Sequence, residues 1–192
     1  MEVITVAVEM AMVETKLITG EELAAMGDIG PCELVEGRIV HRSPTGDKHG
    51  CYEGNFYAAL RSFVQVHHLG KVRVGEVGIY TRRHPDTARA ADVLFISNER
   101  YARVRSSSYL DVAPELVVEI LSPDDSWSEV TQKLREYFAI GVRLVWVADP
   151  RARSVYAYHS LTDVREFTED DDLTGDEVLP GFAVQVASLF EE

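Results

Sequence analysis

The segment ELVVEIL, residues 115–121, constrains the fold more than any other part of the chain. It is a nearly continuous apolar run between Pro114 and Pro123, and such runs are typical of strands that are buried on both faces of a sheet. The run VRLVWVAD at residues 142–149 has the same character. Helical patterns alternate with these and other strand patterns, so we expect an α/β or α+β fold around a central sheet.

Two capping boxes mark the beginnings of helices. Thr19 is followed three positions later by Glu22, and Ser126 by Glu129. In this motif each residue's side chain accepts a hydrogen bond from the other residue's backbone N–H. Apolar residues at helical spacing and glycines at the ends delimit the helices. The predicted helices are 20–26, 48–66, 98–104 and 127–140.

Shorter strands are predicted between the helices. The segment CELVEGRIVH should form a hairpin that turns at Glu36 and Gly37. The glycines in KVRVGEVGIYTR, residues 71–82, indicate either two strands or one bent strand. The remaining expectations are a loop at 83–90, strands at 90–97 and 154–160, a solvated acidic loop at 169–172, and a final strand with one helical turn.

The chain has 192 residues, a length that suits one domain, 1–192, with its own core. Residues 1–15 have no clear period and predict a strand or a loose N-terminal arm. No apolar run approaches the roughly 18 residues of a membrane span, and Glu2 and Glu9 make the N-terminus a poor secretory signal. We therefore expect a cytoplasmic protein in which Cys32 and Cys51 are reduced thiols, with a disulfide as the weaker alternative.

The charge is unevenly distributed. The net charge is −13, which opposes non-specific binding to nucleic acid. Residues 61–105 nevertheless contain nine basic and four acidic residues, so this part carries +5 and the remainder −18. A basic patch on an acidic body is equally compatible with a nucleic-acid ligand and with a self-complementary oligomer.

Two acids interrupt the apolar strands. Because side chains alternate between the faces of a strand, Asp92 shares a face with Leu94, and Glu119 lies in the middle of a face. Burial of an unpaired carboxylate costs several kcal/mol or more. The two acids could meet and bind a divalent ion, or repel each other and raise one pKa. Alternatively, Asp92 lies in the open at the start of its strand and Glu119 pairs with an arginine such as Arg143.

Lys133 lies on the helix that follows the Glu119 strand. At about 100° per residue it falls beside Val130 and Tyr137, at the edge of the apolar stripe. Its ammonium group can extend to water, as lone lysines commonly do. It can instead lean over the sheet, which would bring it close to Glu119.

These segments together resemble the Uma2 family of endonucleases, within the restriction-endonuclease-like PD-(D/E)XK superfamily. The resemblance rests on the order of ELVEG, a helix opened by a histidine, ADV, VVEILSP, a helix with Lys and Tyr, and VRLVWVADP. It covers about residues 33–182. It implies a single domain with a central mixed β-sheet flanked by helices, and a homodimer that hydrolyses DNA phosphodiester bonds with Mg²⁺ or Mn²⁺.

By position, the resemblance implies a metal site on the two acidic strands. Asp92 matches the aspartate of the family motif, although Ala91 replaces the proline before it. Glu119 matches the second acid. Both would bind the ion, and the carbonyl oxygen of Ile120 would assist them.

The resemblance also implies three further catalytic residues. The position of the motif lysine is Leu121 here, and the lysine of the following helix, Lys133, would take its role in stabilising negative charge. Glu36 in the hairpin and His49 at the start of the long helix would serve as outer ligands or would position water.

A catalytically inactive relative that binds or assembles is the alternative function. The charge of −13 and the presence of Leu121 favour it. The acids Asp92 and Glu119, together with Lys133, favour the enzyme. A nuclease for RNA or branched DNA is a third possibility.

Overall fold

The computed structural model describes residues 16–123 and 125–192, so the predicted arm at 1–15 lies outside the described residues. The helices are α1 (Gly20–Ala25), α2 (Asp47–Val66), α3 (Asn98–Tyr101), α4 (Trp127–Ile140) and α5 (Val186–Leu189). The strands are β1 (Cys32–Val35), β2 (Arg38–His41), β3 (Gly70–Arg82), β4 (Thr87–Ser97), β5 (Leu116–Ile120), β6 (Leu144–Asp149), β7 (Ser154–Tyr158), β8 (Val164–Phe167), β9 (Asp172–Gly175) and β10 (Leu179–Gln185).

A mixed sheet of eight strands forms the centre of the described structure. Its order is β2-β1-β4-β5-β6-β7-β8, and β3 pairs with β4. The strands β5 and β6 are parallel and are joined by α4, whereas the other neighbours are antiparallel. The strands β9 and β10 form a separate two-stranded sheet. The expected central mixed sheet with flanking helices is therefore confirmed.

Two helices cover the two faces of the sheet. Alternate residues of β5 face opposite layers: Val118 packs in the core layer of α2, and Val117 packs in the layer of α4. The apolar spacing that predicts each helix also forms its buried side. The buried residues are Tyr52, Phe56, Leu60 and Val64 on α2 and Val130, Leu134 and Tyr137 on α4.

Both predicted capping boxes are present. The Thr19 and Ser126 side chains accept hydrogen bonds from the backbone N–H groups of Glu22 and Glu129, and the glutamate side chains bind back to the cap residues. The helix α4 ends at Gly141, whose φ of 97° is left-handed and suits glycine.

The structure differs from the sequence expectations at several strands. The expected loop at 83–90 is shorter, because β4 already begins at Thr87, so Asp92 lies within the strand and not at its first residue. The segment 71–82 is one strand, with a register shift between Val74 and Val77. The polar strand β8 has no apolar pattern and was not predicted. The helical spacing that predicts α4 would also put Trp127 on its apolar side, but Trp127 is 64% exposed. Both cysteines are free.

Gly70 should tolerate no larger residue, because β3 lies directly against β4 there. A Cβ atom at this position would lie 2.1 Å from the Ile96 carbonyl oxygen and 2.8 Å from Ser97 Cα. We expect Gly70→Ala to lower the free energy of unfolding by about 1–3 kcal/mol in urea titrations. Gly54→Ala is the matched control: apart from the backbone of α2 itself, no atom of the described residues lies within 4 Å of its Cβ position, and it should stabilise by up to about 1 kcal/mol. Equal urea midpoints for Gly70→Ala and the wild type would contradict this close packing.

Candidate active site

The site lies where β1 and β5 leave a gap along one side of β4. The β1 pairing is at Ala88 and the β5 pairing begins at Val93. Between them, the Ala90 N–H donates to Glu33 Oε1 at 3.1 Å, and the Ala90 carbonyl accepts from Lys133 Nζ at 3.4 Å. Side chains thus replace a neighbouring strand here, and a pocket of about 470 Å³ opens beside them.

Asp92 connects β4 to the end of β5. Its side chain is buried, and its Oδ2 accepts a 2.6 Å hydrogen bond from the backbone N–H of Ile120. Its Oδ1 lies 3.5 Å from His49 Nε2. The predicted metal ligands Asp92 and Ile120 are therefore in direct contact, and both line the pocket.

Glu119 is held by two donors from α4. Lys133 Nζ donates to Oε2 at 2.6 Å, and the Tyr137 hydroxyl donates to Oε1 at 2.6 Å. Burial raises the pKa of Glu119 to about 7, while Lys133 opposes this shift and Asp92 adds to it. The arginine suggested as its partner, Arg143, instead lies 3.9 Å from Glu177.

Lys133 leans over the sheet and does not extend to water. Its side chain is 19% exposed, and Nζ lies 3.4 Å from Glu33 Oε1 in addition to its contact with Glu119. Burial acts to lower the pKa of Lys133, but the two carboxylates outweigh it and raise the pKa above its ordinary value. The ammonium group therefore remains charged between two acids.

Glu33 is a residue of the site that sequence reasoning missed. It is 2% exposed, and it accepts from Arg42 at 2.7 Å and from Arg89 at 3.1 Å. Burial alone would raise its pKa, but Lys133, Arg42 and Arg89 lower the pKa of Glu33 to about 2. An acid inside the short strand CELV was the available signal.

Arg89 links this acid to α4. Its guanidinium group makes hydrogen bonds of 2.6 and 2.8 Å to the two carboxylate oxygens of Glu136 and also contacts Glu33. Paired arginine–carboxylate contacts of this kind fix orientation as well as charge. The position of α4, and with it Lys133, is therefore tied to β1 and β4.

The first turn of α2 brings His49 to the pocket. Its Nδ1 lies 3.4 Å from Ser122 Oγ, and its Nε2 faces Asp92 at ion-pair distance. Asp92 raises the pKa of His49 above its ordinary value in spite of burial. Among the described residues, the buried Nε2 atom has no hydrogen-bond partner.

The structure does not bring Glu36 to this site. Glu36 lies in the two-residue turn between β1 and β2 with a φ of 50°. Its side chain is 63% exposed and pairs with Arg82 at 3.1 Å. The hairpin acid that enters the site is Glu33, on the strand before the turn.

The donor set of the site suits a magnesium-like ion. The described residues contain no group of three or more His, Cys, Asp or Glu side chains arranged to hold a metal. Asp92 and Glu119 supply carboxylate oxygens, and each oxygen has lone pairs beyond the hydrogen bonds it accepts. Mg²⁺ commonly binds one or two carboxylates and takes its other ligands from water and phosphate. The residues present therefore fit Mg²⁺ or Mn²⁺ better than a structural zinc ion.

The comparisons with known proteins agree with this fold. The chain is similar to a protein from Anabaena variabilis whose crystal structure is described as a putative nuclease belonging to DUF820, with 21% identity and a TM-score of 0.75. The match covers 90% of this chain and 97% of the other, and it confirms the expected fold class. No curated protein sequence matches the chain. No helix among residues 16–123 and 125–192 combines the length and apolar character needed to cross a membrane.

A family model identifies the chain by sequence. The model of the Uma2 family, described as "Putative restriction endonuclease", matches residues 21–187. This range includes the hairpin, both acidic strands and α4. The resemblance seen in the sequence is thereby confirmed, and the chain belongs to the Uma2 family of restriction-endonuclease-like proteins.

Proposed function

We propose that this protein is a divalent-metal-dependent endonuclease that hydrolyses DNA phosphodiester bonds. The observation that carries the proposal is the contact of the Lys133 ammonium group with Glu119, in a pocket that Lys133 and Asp92 both line. Acids that bind a metal and a cation that stabilises anionic charge are the groups phosphodiester hydrolysis needs.

Three groups would hold the ion: the carboxylates of Asp92 and Glu119 and the carbonyl oxygen of Ile120. When bound, Mg²⁺ or Mn²⁺ would polarise a phosphoryl oxygen and lower the pKa of water. Asp92 is already oriented by the Ile120 N–H, and Glu119 by Tyr137. This preorganisation reduces the reorientation required of the ligands.

Lys133 would stabilise the negative charge that develops on the phosphate. It lines the pocket, and Glu33 and Glu119 hold its ammonium group in place. His49 would position the attacking water or hold a proton, because its ring lies between Asp92 and Ser122. Glu36 has no role in this proposal.

A binding or assembly module without catalytic activity is the second candidate. The observation that favours it is the closed ion-pair network of Lys133, Glu119 and Glu33, which satisfies these charges without a metal. Metal binding separates the two candidates, because a module of this kind needs no ion.

Wild-type protein should bind Mn²⁺ in calorimetric titration and nick plasmid DNA at low salt. We expect Asp92→Asn and Glu119→Gln each to lower the Mn²⁺ affinity by at least about 10-fold, because each removes charge from a ligand. Glu166→Gln, which changes an exposed residue of β8, is the control and should bind Mn²⁺ normally. If the wild type binds neither Mn²⁺ nor Mg²⁺ and cuts no DNA, the nuclease proposal is wrong.

A further inference from the structure

The structure separates the basic residues of segment 61–105 into two groups. Four of the nine are paired with acids: Arg82 with Glu36, Arg83 with Glu21 and Asp86, Arg89 with Glu33 and Glu136, and Arg100 with Glu115. The other five have no acidic side-chain partner among the described residues. They are Arg61, Lys71, Arg73, Arg103 and Arg105. The positive charge of this segment is thus partly internal and partly available to a ligand.

Three of the available cations line one cleft. Arg61 on α2 and Lys71 and Arg73 on β3 surround a volume of about 270 Å³, together with His68. Among the residues that the structure describes, no acidic side chain lines this cleft. The local field is therefore positive on a chain whose net charge is −13, and a polyanion is the ligand that complements it.

The cleft and the candidate active site are connected by two rigid elements. His49 lies in the first turn of α2, and Arg61 lies 12 residues later, a rise of about 18 Å along the helix. The strand β3 runs beside it from Glu76, which lines the site pocket, to Lys71 in the cleft. One strand of duplex DNA advances about 3.4 Å per nucleotide, so about five nucleotides cover this distance.

The active-site pocket needs such a cleft. Within the described part of the chain, five acids line it: Glu33, Glu76, Asp92, Asp125 and Glu129. Its arginine, Arg42, is bound by Glu33 at 2.7 Å and lies 3.5 Å from Glu129. In the metal-free protein these acids outnumber Lys133 and Arg42 and repel a phosphate backbone, so cations outside the pocket would supply the affinity for DNA.

We propose that the cleft formed by Arg61, Lys71 and Arg73 binds the phosphate backbone of duplex DNA, about five nucleotides from the bond at the active site. This inference rests on the proposed nuclease function. Contacts of this kind position the duplex and carry no base specificity. The competing occupant is the acidic surface of a second copy of the chain. We favour DNA because α2 and β3 lead from the cleft directly to the pocket.

The test compares two triple variants with equal charge. Arg61→Gln/Lys71→Gln/Arg73→Gln removes the cleft cations, and Arg135→Gln/Arg143→Gln/Arg165→Gln removes three exposed cations elsewhere. Binding of a labelled DNA duplex is followed by fluorescence anisotropy over a salt series without divalent metal. The slope of log affinity against log salt should fall by about 0.9 for each phosphate that the protein no longer neutralises, and only in the cleft variant.

Several outcomes would overturn the cleft proposal. Equal loss of affinity in both triple variants would assign the effect to net charge, and no loss in either would remove the cleft from DNA binding. Sedimentation that shows a dimer in the wild type and a monomer in the cleft variant, with unchanged DNA affinity, would assign the cleft to a second copy. Because the assay needs no metal and no cleavage, its result stands apart from the nuclease proposal, which the Mn²⁺ titration tests.

Discussion

Replacing Lys133 with methionine should lower the rate of DNA cleavage by roughly 10²–10³-fold and destabilise the protein by about 3–5 kcal/mol above pH 7. The rate falls because the cation facing the phosphate is lost. The stability falls because Glu119 and Glu33 lose the ammonium group 2.6 and 3.4 Å away. Mn²⁺ should still bind, because Asp92 and Glu119 remain. Plasmid nicking and urea unfolding measure the two effects, with the exposed Lys16→Met as control.

The stability of the Lys133→Met variant should depend on pH in a defined direction. Without Lys133, burial and Asp92 raise the pKa of Glu119 further above its ordinary value. A carboxyl group whose pKa is raised by folding stabilises the fold at low pH and loses that contribution as pH rises through the folded-state pKa. Because Glu119 already has a pKa of about 7 in the wild type, the variant should regain stability relative to the wild type as the pH falls to about 7, with no further gain below it. The double variant Lys133→Met/Glu119→Gln should lack this pH dependence. If the Lys133→Met variant cleaves DNA at the wild-type rate, Lys133 has no catalytic role.

Replacing Arg89 with methionine should destabilise the protein by about 3–5 kcal/mol, because it leaves two partly or fully buried carboxylates without their shared cation. Arg89 is 7% exposed and binds both Glu33 and Glu136. Arg153→Met is the matched control: Arg153 pairs with Glu169 at the surface, and exposed pairs contribute about 1 kcal/mol or less. Urea unfolding measures the stability of both variants. Similar losses for Arg89→Met and Arg153→Met would show that the buried ion pairs stabilise the protein no more than an exposed pair does.

The Arg89→Met variant should also differ from the wild type in acid. Glu33 has a pKa of about 2 in the folded protein against an ordinary value of 4.5. A carboxyl group whose pKa is lowered by folding stabilises the protein at pH values above its unfolded-state pKa. For Glu33 this contribution is ~3 kcal/mol, and it is lost as the pH falls towards the folded-state pKa. Because Arg89 helps to lower the pKa of Glu33, the Arg89→Met variant should lose less stability than the wild type as the pH falls. Parallel curves of urea midpoint against pH would contradict this.

Local patterns in the sequence predict much of this fold because their physics is local. The capping boxes at Thr19 and Ser126 satisfy backbone donors within one turn, so they mark helix starts without reference to the rest of the chain. Alternation along β5 likewise puts Glu119 on the same face as Val117, which is the face that α4 covers. The polar strand β8 lacks such a pattern, because it lies at the edge of the sheet with only Phe167 buried.

The parts of the site that depend on distant contacts could not be predicted. Glu33 and Glu36 belong to the same short hairpin, and only the pairing of β1 with β4 decides that Glu33 enters the gap. Tyr137 follows the apolar stripe of α4, a pattern that predicts packing and does not specify a polar partner, yet its hydroxyl donates to Glu119. Trp127 fits the same stripe, but it lies in the first turn of α4, beyond the cover of the sheet.

The parallel pair β5 and β6, joined by α4, has a consequence for how the site is assembled during folding. Glu119 is separated from Lys133 by 14 residues and from Tyr137 by 18, whereas Glu33 is separated from Arg89 by 56. Closing a short loop costs less chain entropy than closing a long one, and contacts of low sequence separation favour rapid folding. Glu119, Lys133 and Tyr137 therefore lie within one short segment of the chain and can come into contact without long-range pairing. We expect the long-range pairings of β4 to bring Asp92 and Glu33 to this centre later in folding.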